Sequence, residues 1–266
     1  MAESVAAALH LRREGRGPPV VLLHGLAGDH ATWNAVVPEL ATSMDVLAPD
    51  LRGHGRSPLP EGSTLSFPEL TSDVVGLLDR EKVGPAHFVG LSAGGFLALT
   101  LALRHPGRVR SITLISSAGH CDAHTRSIGQ RWLETYRDEG LGAFVLRLLK
   151  DLYYPDWIEA HLDLVDRIRD SLSERDLTGV LRWGDSIRTF DLRGRLTGIR
   201  APTLVVQGMD DRVVDPSHAR LLRQTITGTE VRLLAQTGHM VPVERPGETV
   251  EAIRGWVARA EVRQAP

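Results

Sequence analysis

Six short apolar runs recur along the chain, each continuous rather than alternating. They are Pro19–His24, Val46–Asp50, His87–Leu91, Ile112–Ser116, Thr203–Gln207 and Val231–Leu234. A strand that is apolar on both sides must be covered on both faces. Helical patterns lie between these runs. Ser66–Arg80 sets Leu70, Val74, Leu77 and Leu78 on one helical face, with Ser66 and Glu69 spaced as a capping box. Phe96–Leu103 is small and apolar and stops before His105-Pro106-Gly107; Pro216–Ile226 and Gly247–Ala260 read as two more helices. The repeated order of strand, helix and strand predicts an α/β fold: a doubly wound, mostly parallel sheet with helices on both faces. A further strand pair is expected within Val5–Glu14.

One stretch breaks the alternation. From His120 to Leu196 no strand pattern occurs, and amphipathic helices carry all three tyrosines and Trp132, Trp157 and Trp183. At 266 residues the chain fits one large domain with an insertion. The expected division is a core of residues 1–119 and 197–266, with 120–196 as a helical lid. The lid's aromatic residues would either line a substrate pocket or form the lid's own small core.

Charge excludes several partners. The 31 basic and 33 acidic residues leave a net of -2 with no block of one sign, which implies neither nucleic acid nor an anionic membrane. The single cysteine, Cys121, rules out an internal disulfide. No apolar run approaches the roughly 18–20 residues that span a bilayer. The Met1–Val5 start has no basic region, and Val5–Leu9 is short for a signal sequence. The expectation is a soluble, cytoplasmic protein without stable membrane association; a homo-oligomer is left open.

The strongest chemical signal is Gly90-Leu91-Ser92-Ala93-Gly94-Gly95, directly after one apolar run and at the start of a helix. Glycine around a serine at such a junction permits a turn tight enough to stand the hydroxyl clear of the backbone, beside the free N–H groups of a helix N-terminus. A nucleophilic serine needs a base, and His239 in Gly238-His239-Met240 follows the last strand run. The base needs a carboxylate, and three compete after the run Thr203–Gln207: Asp210, Asp211 and Asp215.

In that order these segments resemble the α/β-hydrolase fold superfamily, of the lidded serine esterase and lactonase kind. His24-Gly25-Leu26-Ala27-Gly28 resembles its oxyanion loop, and Asp50–Ser57 its D-x-R-G-x-G-x-S loop. Gly90–Gly94 resembles its nucleophile elbow, Gly208–Val214 its acid turn and Gly238-His239 its base loop. The resemblance implies Ser92 as nucleophile, His239 as base and Asp211 as the acid, the third residue after Gly208. It implies backbone N–H groups of Leu26 and Ala93 as the oxyanion hole, with His24 and Gly25 supporting that loop. Serine at the elbow separates the chain from dehalogenases and epoxide hydrolases, which carry aspartate there. Ser116-Ser117-Ala118-Gly119 holds no acid that could replace Asp211.

The implied activity is hydrolysis of a small or medium carboxylic ester or lactone through an acyl-enzyme, with no metal or organic cofactor. Alternatives are an enol-lactonase or a C–C bond hydrolase of aromatic degradation, although Leu91 stands where many C–C hydrolases carry Asn. A perhydrolase side activity would use the same triad. From another class come a cofactor-free oxygenase and a non-catalytic binding protein. Two further segments read as structural. His120-Cys121-Asp122-Ala123-His124 offers metal-ligand types without a completing set and reads as a hinge. Gly53-His54-Gly55-Arg56-Ser57 lacks the third glycine of a dinucleotide loop.

Overall fold

A computed structural model describes residues 8–163, 167, 170 and 177–264. Its strands are β1 (Leu11–Gly15), β2 (Pro19–Leu23), β3 (Asp45–Pro49), β4 (Ala86–Leu91), β5 (Val109–Ile115), β6 (Thr203–Gly208) and β7 (Glu230–Leu234). They form one sheet in the order β1-β3-β2-β4-β5-β6-β7. Only β1 runs antiparallel, against β3; every other pairing is parallel. The described helices are α1 (Val37–Leu40), α2 (Phe67–Arg80), α3 (Ala93–Arg104), α4 (Ala123–Leu152), α5 (Pro155–Glu159), α6 (Thr178–Arg188), α7 (Ser217–Thr225), α8 (Val241–Glu244) and α9 (Pro246–Gln264).

The continuous apolar strands are explained by two cores. Successive side chains of a strand point to opposite faces. Val21, Leu23, Phe88, Leu114 and Val205 join a cluster with Leu70, Val74 and Leu77 of α2, Leu97 of α3 and Leu222 of α7. Their neighbours Val20, Leu22, Val89, Ile115 and Val206 join a second cluster with Leu40 of α1 and Ile253, Trp256 and Val257 of α9. The sheet is therefore covered on both sides. Half of the capping box forms: Ser66 Oγ accepts the Glu69 N–H at 3.4 Å, but Glu69 Oε2 takes the Ser66 hydroxyl at 3.1 Å while the Ser66 N–H goes to Thr64 Oγ1 at 3.5 Å.

Two strand expectations are corrected. The N-terminal segment contributes a single strand, β1, and the part of the expected pair at residues 5–7 lies outside the described residues. The run Val231–Leu234 is not buried on both faces. It belongs to β7 at the sheet's edge, where Glu230 is exposed and Leu233 is half exposed. Its charged Glu230 and Arg232 suit an edge that must not pair with another chain.

Between β5 and β6 the chain makes a helical insertion. Its two ends run side by side: Cys121 N–H donates to Phe190 O and Leu192 N–H to Gly119 O, both at 2.9 Å. Helix α4 is broken at Gly140, whose backbone leaves the helical region at φ 84°. The tryptophans do not share one role, and Trp183 takes neither of the two expected ones. Trp157 stacks on Tyr153 over a small cluster of Val145, Leu148 and Leu149. Trp183 of α6 is instead buried in the main core, edge-on to His54 with 5.1 Å between ring centroids.

The loop after β3 is locked by an ion pair. Arg52 donates from Nε to Asp73 Oδ2 at 2.7 Å and from Nη2 to Asp73 Oδ1 at 2.5 Å, and both side chains are 1% exposed. Removing one partner strands a buried charge, which typically costs about 3–5 kcal/mol. Asp73→Ala is expected to destabilise the protein by about that much in urea unfolding. A loss under about 1 kcal/mol would mean that water reaches Arg52.

Candidate active site

In a parallel sheet all strands end at one edge, and the loops leaving that edge are where open α/β sheets bind ligands. His24 follows β2, Asp50 follows β3, Ser92 follows β4, Asp211 follows β6 and His239 follows β7. The sequence-expected residues therefore share the carboxyl edge.

Ser92 sits between β4 and α3 at φ 53° and ψ -119°, in the positive-φ region that side chains rarely occupy. Close packing holds it there. A Cβ at Gly90 would fall 2.3 Å from Gly94 O, one at Gly94 would fall 2.2 Å from Leu23 O, and one at Gly95 would fall 2.3 Å from Ser117 Oγ. The backbone is pinned as well. Ser92 N–H donates to Ile115 O at 2.9 Å, and Ser117 Oγ donates to Ser92 O at 2.8 Å. Ala93 opens α3, so its N–H has no acceptor within the helix.

The loop after β2 faces the serine. A Cβ at Gly25 would fall 3.2 Å from Ser92 Cβ and 3.8 Å from Ser92 Oγ, so glycine keeps that space open. Gly28 N–H closes the loop onto Gly25 O at 3.1 Å, with Leu26 half-buried between. His24 Nε2 accepts the Leu51 N–H at 2.9 Å, which puts its proton on Nδ1, 2.8 Å from Gly25 O. That ring bridges two loops.

Of the three competing acids, only Asp211 bonds to His239. Its Oδ1 and Oδ2 lie 3.0 and 2.9 Å from His239 Nδ1, with both residues buried. Oδ1 also accepts the N–H groups of Val213 and Val214 at 2.9 Å each, and Oδ2 accepts Gln207 Nε2 at 2.8 Å. Asp210 is exposed, and Asp215 caps α7 through the Ser217 N–H. The turn and the base loop are interlocked, since a Cβ at Gly208 would fall 2.2 Å from Gly238 O. Among the described residues no hydrogen bond joins Ser92 Oγ to His239; the two share the sheet edge without one.

The sequence reading missed the support behind His239. Leu152 O, at the end of α4, accepts the His239 N–H at 2.7 Å and the Met240 N–H at 3.2 Å. Glu244 of α8 accepts from Gly238 N and Tyr154 N at 2.9 Å and from Met240 N at 3.1 Å. Burial pushes the Glu244 carboxyl above its ordinary range, against the pull of those N–H groups and of His239. A glutamate closing the apolar stretch Met240–Val243 was the only available signal. Gln207, whose amide steadies Asp211, gave none.

The possible ligands within His120–His124 have separate partners. His120 bridges to Asp191 across the insertion's ends, Asp122 caps α4 and bonds His218 Nε2 at 3.1 Å, and His124 Nε2 lies 2.8 Å from Arg212 O. Burial raises the Cys121 thiol to about 11. His10, His30 and Asp50 offer donor atoms close enough for a metal ion. Asp50 already takes three N–H groups, two from His30 and one from Arg56, so that carboxylate organises its loop.

A strained serine and a buried His–carboxylate pair on one edge of a doubly covered sheet form the architecture of a hydrolase. A family model described as the alpha/beta hydrolase fold matches residues 18–246, and the chain belongs to that family. The enol-lactonase of Burkholderia xenovorans LB400 is 30% identical with a TM-score of 0.85, over 96% of this chain and 99% of that one. A hydrolase from Pseudomonas aeruginosa PA01 is 30% identical with a TM-score of 0.86, over 97% of both chains. Pyrrolizixenacetamide deacetylase of Xenorhabdus hominickii is 28% identical over 253 residues, 94% of each protein. Among the described residues no helix is long and apolar enough to cross a membrane.

Proposed function

We propose that the protein is a cytoplasmic serine hydrolase of small or medium carboxylic esters or lactones, working through an acyl-enzyme. Ser92 Oγ attacks the acyl carbon while His239 Nε2 takes its proton, the nitrogen that the Asp211 bond at Nδ1 leaves available. Asp211 orients the ring and stabilises the imidazolium. Backbone N–H groups of Leu26 and Ala93 receive the oxyanion, a contribution of about 2.7–4 kcal/mol per donor where it has been measured. The leaving oxygen takes the proton from His239. Water then enters, gives a proton to the same nitrogen, and releases the acid and the free serine. Residues 120–196 act as the lid over residues 1–119 and 197–266 and select the substrate.

The observation that carries this reading is the two-oxygen contact of buried Asp211 with His239, on the edge that holds the strained Ser92. An enol-lactonase and a deacetylase among the relatives are both named for cleavage at an acyl carbonyl, which supports the bond type.

The test is hydrolysis of p-nitrophenyl esters from acetate to palmitate, with a panel of lactones beside them. A rate that depends on Ser92 and is highest for short chains is the expected result. No Ser92-dependent rate on any ester or lactone would sink the reading and move C–C bond hydrolysis ahead of it.

A further inference from the structure

The His239 backbone is held on both sides by one side chain. The Glu244 carboxylate receives the N–H of Gly238 before the base and the N–H of Met240 after it, while His239's own N–H goes to Leu152 O. Three consecutive amides are thus captured by Glu244 and Leu152. The oxygen that holds Gly238 also takes the Tyr154 N–H, two residues past the end of α4. The loop is pressed against the same place: a Cβ at Gly238 would fall 2.8 Å from Leu152 O, Tyr153 C and Tyr154 N. Glu244 is 7% exposed, so water does not compete strongly for these bonds.

We propose that Glu244 is a positioning residue for the His239 base. Its buried carboxylate fixes the loop on both sides of the histidine and ties it to the end of α4, so the base is in register only while the helical insertion is seated. This rests on the assignment of His239 as the base. A displacement near 1 Å in a catalytic group can cost on the order of 100-fold, so the anchor acts on turnover rather than on substrate affinity.

Three variants test it, each assayed on the best ester beside wild type and Ser92→Ala. Glu244→Gln keeps one acceptor oxygen and turns an NH₂ toward an N–H. It is expected to lower kcat about 10–100-fold with KM within about three-fold. Val243→Ala trims the same short helix where it packs on the insertion's apolar cluster, and touches none of these bonds. It is expected to lower Tm and leave kcat within two-fold. The third variant removes only Glu244's own bond to the insertion and leaves the Leu152 O bonds in place. Tyr154 has φ -66° and Tyr153 has φ -117° and ψ 154°, values that suit a proline and the residue before it. Tyr154→Pro therefore deletes the N–H, and Tyr154→Ala is its control. A several-fold lower kcat for the proline than for the alanine variant, at equal KM, is expected.

Should Glu244→Gln fail to fold, the Tyr154 pair decides the matter alone. Wild-type kcat in Glu244→Gln, or equal kcat in the two Tyr154 variants, overturns the proposal. So does a Glu244→Gln kcat loss that Val243→Ala matches at the same Tm. If Ser92→Ala retains activity, it is the hydrolase mechanism that fails; loss of activity there with unchanged Glu244→Gln rejects Glu244 only.

Discussion

Ser92→Ala is expected to lower kcat on the best ester by about 10⁶-fold, the size of loss found when a serine hydrolase loses its nucleophile. The fold should not register the change. The bonds that hold the elbow run through the Ser92 backbone, from its N–H to Ile115 O and from Ser117 Oγ to its carbonyl. Alanine keeps both, and it bears the positive φ about as well as serine does, because each has one Cβ. Far-UV circular dichroism should be unchanged and Tm should move by no more than about 2 °C, the equivalent of about 1 kcal/mol for a chain of this size. That pairing makes the result decisive. A folded Ser92→Ala protein with more than a tenth of wild-type activity would show that the strained hydroxyl is not the attacking group.

The parts of this edge that were legible in the sequence are those where backbone meets backbone. Gly90, Gly94 and Gly208 stand where a single Cβ would collide with a carbonyl at 2.2–2.3 Å, so only glycine is accepted and the turn shows in the letters. Continuous apolar runs were legible for the same reason, because a strand buried on both faces admits little else. Position in the sheet was not: the run in β7 resembles the others, and only the strand order makes it an edge. The choice among Asp210, Asp211 and Asp215 could not be read from the residues alone, since it depends on how the turn packs against Gly238; the family resemblance was needed to select Asp211. Leu152 and the Glu244 bond to Tyr154 left no spacing pattern because they join segments about 90 residues apart. Glu244's bonds to Gly238 and Met240 are local and left only a glutamate at the end of an apolar stretch. The insertion hid most. Trp157 and Trp183 look alike in sequence, yet one stacks within the insertion and the other is buried in the main core.

Asp211→Asn should separate orientation from folding. The Asp211 carboxylate serves two sides: Oδ1 takes the Val213 and Val214 N–H groups, Oδ2 faces Gln207 Nε2, and both oxygens lie within 3.0 Å of His239 Nδ1. Asparagine satisfies the first side by keeping its oxygen on the backbone amides. Its NH₂ then sits where Oδ2 was. Gln207 can adapt in part: its Oε1 is buried without a partner, and a turn of that amide brings the oxygen to the new donor at the loss of the Nε2 bonds to Gly208 O and Val214 O, both 3.3 Å. The retained oxygen stays 3.0 Å from His239 Nδ1, but the new NH₂ at 2.9 Å points a donor at the same nitrogen and favours the tautomer that accepts at Nδ1 and carries its proton on Nε2. In that tautomer Nε2 cannot take the serine proton, and the imidazolium loses its counter-charge. The expected result is a kcat lower by about 10³- to 10⁴-fold with a stability loss of about 1–3 kcal/mol. Asp211→Ala is the less informative variant, for it leaves the buried Val213 and Val214 N–H groups unpaired at about 1–3 kcal/mol each, so lost activity could reflect unfolding. A kcat within ten-fold of wild type in a folded Asp211→Asn enzyme would mean that this carboxylate does not govern the tautomer of His239. The base would then owe its orientation to the backbone clamp at Leu152 and Glu244, and the Glu244→Gln loss should grow to match.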